Sequence, residues 1–135
     1  MGFATYAKLY LTSLAVFFAV DLLWLGVVAR PFYARHLGHL LREQALWPAA
    51  ILFYLFFLVG LLVFVIVPAV SADSLAKAAM LGAFYGFITY QTYELTNYAL
   101  IARWPLVVVV VDIAWGVVLS AVVATGTTAA ARLWR

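Results

Sequence analysis

Residues 48–67 read PAAILFYLFFLVGLLVFVIV. The block has no charged side chain, and its one hydroxyl belongs to Tyr54. At 1.5 Å per residue it is long enough, as a helix, to cross a hydrocarbon layer of about 30 Å. Nothing in it alternates with period two, so a strand of a membrane barrel is excluded. Outward from this block the same reading recurs. Apolar segments fall at about residues 5–29, 75–101 and 105–125, each again of helical crossing length. Prolines (Pro31, Pro48, Pro68, Pro105) fall at the segment ends, where a missing N–H costs little. The expectation is an all-α, four-helix transmembrane bundle forming one domain over residues 1–135.

Composition agrees. Of 135 residues, 69% are hydrophobic and 10% charged, whereas soluble domains run near half and a quarter. The stretch after Tyr6 is too long for a signal-peptide core of roughly 7–15 residues and is read as the first span. There are no cysteines, which excludes disulfides and thiolate chemistry. The net charge of +3 is dispersed; it suits anionic lipid headgroups and offers no basic run for nucleic acid. Membrane lipids are therefore the expected partners.

The connections are read from their punctuation. Short turns near residues 71–74 and 102–104 join neighbouring helices antiparallel. The link over residues 31–46 is longer. Tyr33, Leu37, Leu40 and Leu41 share one helical face there, with Arg35, His39, Arg42 and Glu43 elsewhere, which predicts a short interfacial helix interrupted near Gly38. Trp47 and Trp104 mark that interface, Tyr6 and Trp134 the opposite one. We call the surface carrying both termini side A and the other side B. Lys8, Lys77, Arg132 and Arg135 belong to side A; Arg30, Arg35, Arg42 and Arg103 to side B. The even split leaves the orientation open.

Three of the five acidic residues, Asp21, Glu94 and Asp112, lie inside apolar segments. A charge at the centre of a membrane helix costs about 2.5–3.5 kcal/mol on insertion scales, so three of them need an explanation. Asp21 lies nine residues before Arg30, Glu94 nine before Arg103, and Asp112 seven after Pro105. All three therefore fall about 10–14 Å beneath side B, with Tyr54 in the same layer. Trp24, Asn97 and Trp115 follow Asp21, Glu94 and Asp112 at a spacing of three, on the same helix faces. Tyr90 extends the Glu94 face. Gly26 and Gly116 offer room for close helix contact, and Gly82 and Gly86 form a small-xxx-small pair. The polar residues 89–97 are expected to face protein or water.

Three carboxyls in one pocket cannot all be ionised cheaply, so the group is expected to titrate as a unit. The plainer reading is a hydrogen-bonded cluster that joins helices, which Ser, Thr, Asn and Gln usually suffice to do. The functional reading makes Asp21, Glu94 and Asp112 candidate acid–base or cation-stabilising groups. Trp24, Tyr54, Tyr90, Asn97 and Trp115 would be binding residues, and Arg35 and Arg42 would hold a headgroup. Arg30 and Arg103 either snorkel to phosphates or reach back to the acids. His36 and His39 lack a third ligand, so no metal site is assigned, and no cofactor is called for.

The run Asp21-Leu-Leu-Trp24-Leu-Gly26, then Pro31-Phe-Tyr33, Leu37-Gly38 and Phe53-Tyr54, continues through YQTYELTN (residues 90–97), Trp104-Pro105 and Asp112-Ile-Ala-Trp115-Gly116. In that order these motifs resemble a family of small bacterial four-helix membrane proteins catalogued as a domain of unknown function. Glu94 stands where the family pattern has Asp, which keeps the carboxyl. The resemblance implies the fold and a multi-pass place in the bacterial inner membrane, and supplies no activity. From the residues, the leading expectation is binding or modification of an amphiphilic or lipid-like substrate. If chemistry follows, acid–base catalysis or stabilisation of a cationic intermediate fits, whereas hydrolysis lacks a nucleophile. The alternatives are a small proton-coupled transporter working as a homodimer, or an accessory subunit of a larger membrane complex.

Overall fold

A computed structural model describes residues 1–134, and all regular structure among them is helical. Arg135, counted above with side A, lies outside the described residues. The chain forms four antiparallel rods. The first comprises α1 (Phe3–Trp24), a π-helical turn (Leu25–Ala29) and α2 (Arg30–Leu37). The second comprises α3 (Trp47–Leu61), a second π turn (Leu62–Ile66) and α4 (Val67–Ser71). The third and fourth are α5 (Leu75–Leu100) and α6 (Leu106–Ala131).

Pro31 and Pro68 do not end their helices, contrary to the sequence expectation. A proline within a helix lacks its N–H and drives its ring against the carbonyl four residues earlier. Those carbonyls belong to Val27 and Phe64, and each falls inside one of the two π turns. Widening the backbone there accommodates the proline without breaking the rod. The first rod therefore runs unbroken over Phe3–Leu37 and the second over Trp47–Ser71. The short helix between spans one and two exists as α2, but it continues α1 and stops at Leu37, so Leu40 and Leu41 lie beyond it.

Rods one, two and four, of 35, 25 and 26 residues, are each long and apolar enough to cross a membrane. α5 equals α6 in length at 26 residues and lies antiparallel along it, but its polar second half lowers its apolarity. Part of that polarity is satisfied internally. The hydroxyls of Thr89, Thr92 and Thr96 donate to the carbonyls of Tyr85, Ile88 and Thr92 at 2.9, 2.6 and 2.5 Å. Gln91 donates to the Ile88 carbonyl at 3.0 Å. Thr92 and Thr96 can therefore sit on the exposed face with no unmet hydroxyl donor, and only part of the stretch turns inward.

The tightest seam joins α5 to α6. A Cβ on Gly82 would come within 2.7 Å of the Ser120 carbonyl oxygen, and one on Gly86 would strike the Gly116 carbonyl. Hydrogen at these positions lets the two backbones touch, as small residues do between membrane helices. Gly60 gives the same room to the Tyr85 hydroxyl, which donates to the Phe57 carbonyl at 2.8 Å. Gly26 plays no such part: it is exposed in the first π turn with nothing near its missing side chain. Ser74 caps α5 by accepting from the Lys77 amide at 3.0 Å. The turns use left-handed backbone at Asp73 (φ 49°) and Arg103 (φ 63°).

The fully buried side chains concentrate toward side A. Leu9, Phe17, Leu58, Leu61, Ile66 and Leu119 are at most 1% exposed. Large apolar side chains such as Leu22, Leu23, Phe56, Phe64 and Phe84 point outward, as they must where the surrounding solvent is hydrocarbon. An exposed ion pair, Arg132 Nε to Asp73 Oδ1 at 2.9 Å, ties the end of α6 to the turn before α5 at side A.

Candidate functional site

Toward side B the rods enclose a cavity of about 700 Å³. α1 brings Asp21 to it in the last turn before the π segment, and Trp24 follows one turn later. α3 contributes Phe53, Tyr54 and Phe57. α5 contributes Thr89, Tyr90, Tyr93 and Glu94, and α6 contributes Asp112 and Trp115. α2 adds Tyr33 and Leu37, with Leu41 just beyond it. Asp21 is 6% exposed and Glu94 1%, while Asp112 is half-buried.

Each carboxyl meets neutral donors from other parts of the chain. The Tyr33 hydroxyl donates to Asp112 Oδ1 at 2.7 Å, and the Trp104 indole N–H donates to Glu94 Oε1 at 2.9 Å. Asp21 lies beside the Tyr54 hydroxyl and the Trp115 indole. The Glu94 and Asp112 carboxyls line the same wall of the cavity, each held by its own donor. An ionised carboxyl offers about four lone-pair directions, so these contacts leave acceptor capacity on all three acids. Trp24 and Trp115 stack with centroids 4.3 Å apart and planes 7° from parallel, a stiff wall between α1 and α6. Tyr90 rests its ring over Gly116, a position that no larger residue would leave open.

Seven of the residues singled out in the sequence share this cavity: Asp21, Trp24, Tyr54, Tyr90, Glu94, Asp112 and Trp115. Asn97, Arg35 and Arg42 do not line it. Asn97, one turn beyond Glu94, sits beside Tyr93. Arg35 is two residues from both Tyr33 and Leu37, so it points away from the face they turn to the cavity. Arg42 follows the end of α2 and is exposed. Arg30 and Arg103 are also exposed, and no ion pair joins them to the acids among the described residues.

Among the cavity residues that sequence reasoning missed are Tyr33, Trp104, Phe57, Thr89 and Tyr93. In the sequence Tyr33 and Leu37 read as an interfacial apolar face, and Trp104 as an interface anchor. The signal for Tyr33 was present as the spacing 33, 37, 41, but its destination depends on how α2 leaves the π turn. His36 packs its ring against Phe32, centroids 4.7 Å apart. Among the described residues, no three acidic or histidine side chains gather closely enough to hold one metal ion.

Four helical rods, three of them long and apolar enough to cross a membrane, around an acidic, aromatic cavity define a multi-pass membrane protein with a polar site inside its bundle. The chain belongs to the family described as predicted membrane protein (DUF2177), whose profile matches residues 6–129. That match spans every residue lining the cavity. No curated protein and no solved structure matches the chain.

Proposed function

We propose that the protein binds, and where chemistry follows modifies, an amphiphilic or lipid-like molecule from within the bilayer, most simply the bacterial inner membrane. The polar end would meet Asp21, Glu94 and Asp112, and the tail would leave between the rods. The observation that carries this reading is the character of the cavity mouth. Leu41, Phe53 and Tyr93 line the cavity and remain 52%, 49% and 57% exposed. A mouth rimmed by such side chains suits a hydrocarbon tail better than an aqueous path. The volume falls in the range of about 300–1,000 Å³ usual for small-molecule sites, and few polar groups in an apolar wall is the usual make-up. If the bound molecule is transformed, the Glu94–Asp112 pair is the natural proton donor and acceptor.

Mass spectrometry of molecules retained by the full chain after purification in mild detergent tests the reading. An amphiphile should accompany the unaltered protein and fall by about tenfold or more in the Asp21→Asn, Glu94→Gln, Asp112→Asn triple variant. An unchanged profile in a normally folded triple variant would sink it. Cation uptake into proteoliposomes driven by a pH gradient would instead point to transport.

A further inference from the structure

We infer that the polar end of the molecule taken by this cavity is a cationic nitrogen on an apolar tail, an inference that rests on the amphiphile reading above. The cavity wall holds three carboxyls and no Lys, Arg or His. Its other polar groups are neutral: tyrosine hydroxyls, one threonine and indole N–H groups. The nearest cations along the chain, Arg30, Arg35 and Arg103, stay exposed.

This composition sorts headgroups by chemistry. A phosphate, sulfate or carboxylate would enter a low-dielectric space beside negative groups with no positive partner, and like charges at such separations repel strongly. Arg35 and Arg42, the arginines expected to hold an anionic headgroup, are both exposed and outside the cavity lining. A hydroxyl head brings one donor and no charge. A primary ammonium brings three donors and a full positive charge, matching the acceptor capacity left on Asp21, Glu94 and Asp112. A methylated ammonium lacks those donors but suits the aromatic faces. Tyr54, Tyr90 and Trp115 line the same wall, and aromatic faces attract cations most strongly when desolvated.

The remaining geometry agrees. Tyr33 and Trp104 each occupy one oxygen, of Asp112 and Glu94 respectively. These bonds fix the carboxyls in place before a ligand arrives, which lowers the cost of binding. The cavity that the acids line, about 700 Å³, is large enough for an organic headgroup. Phe53 and Leu41 at the mouth give the tail its exit.

The test titrates the full chain in uncharged micelles with four amphiphiles of one tail length: dodecylamine, dodecyltrimethylammonium, dodecanol and dodecanoate. Heat is measured against empty micelles. A saturable one-to-one event is expected for at least one of the two cations, at about tenfold or more lower concentration than for dodecanol, and none for dodecanoate. Asp21→Asn should abolish the preference for the cation while leaving weak binding of the tail. Equal affinity for dodecanol, or tighter binding of dodecanoate, overturns the cationic head and leaves the amphiphile reading standing. No saturable event with any of the four overturns both. The headgroup series in the unaltered protein decides the matter even if the Asp21 variant fails to fold.

Discussion

The same four rods make two different halves. Toward side A, Leu9, Phe17, Leu58, Leu61 and Leu119 close into a dry core. Small residues let α5 and α6 touch there, with Gly82 and Gly86 against Gly116, Ser120, Ala121 and Ala124. Toward side B the seam residues become Tyr90, Glu94, Asp112 and Trp115, and the rods stand apart around a cavity. Along α5 and α6 the inward side chains change from small ones in the closed half to large and polar ones at the cavity. Lipid tails are as apolar as leucine, so burial alone does not hold membrane helices together; packing and hydrogen bonds do. Stability should therefore reside in the side-A half and ligand chemistry in the side-B half.

Substitutions can break that division, most strongly at the seam. Gly86→Leu would push a side chain into the Gly116 backbone, and thermal unfolding in micelles should show a loss of about 3 kcal/mol or more. Next comes the dry core. Leu119→Ala should cost about 2–4 kcal/mol by leaving a void among packed neighbours, whereas Phe53→Ala at the cavity mouth should cost under about 1 kcal/mol. An equal loss at both positions would erase the distinction between the halves. Tyr33→Phe removes the hydroxyl on Asp112, and a net effect of about 0.5–1.5 kcal/mol on stability is expected; its larger effect should be on ligand affinity. Smallest of all, Asp73→Ala breaks the exposed pair with Arg132, and a change of at most about 1 kcal/mol is expected.

Much of this contrast was legible in the sequence. Apolar blocks of crossing length predict the rods, and the common distance of Asp21, Glu94 and Asp112 from residues at one membrane face predicts that they share a layer. The small residues of α5 announce the seam. What could not be read are features set by backbone geometry. Hydropathy carries no sign that Pro31 and Pro68 sit inside continuous rods behind π turns, since the widening is a main-chain response to a lost N–H. Without it, Tyr33 reads as an interfacial residue instead of a hydrogen-bond donor to Asp112. Trp104 was misread for a related reason: an indole near a helix end looks the same whether it meets headgroups or a carboxylate. Charge marks Arg35 and Arg42 as headgroup contacts, but Arg35 lies on the face of α2 away from the cavity and Arg42 is exposed beyond the helix.

The absence of cysteine from the sequence allows the contrast to be read one position at a time. Thr89 lines the cavity, and Ser120 is fully buried in the closed half with its hydroxyl unpartnered. Single Thr89→Cys and Ser120→Cys chains, treated in membranes with a small membrane-permeant thiol reagent, test the two halves directly. Position 89 should react and be protected by a bound amphiphile, and position 120 should stay unreactive while the protein is folded. Equal reactivity at both positions, or none at 89, would contradict the division into an open half and a closed one.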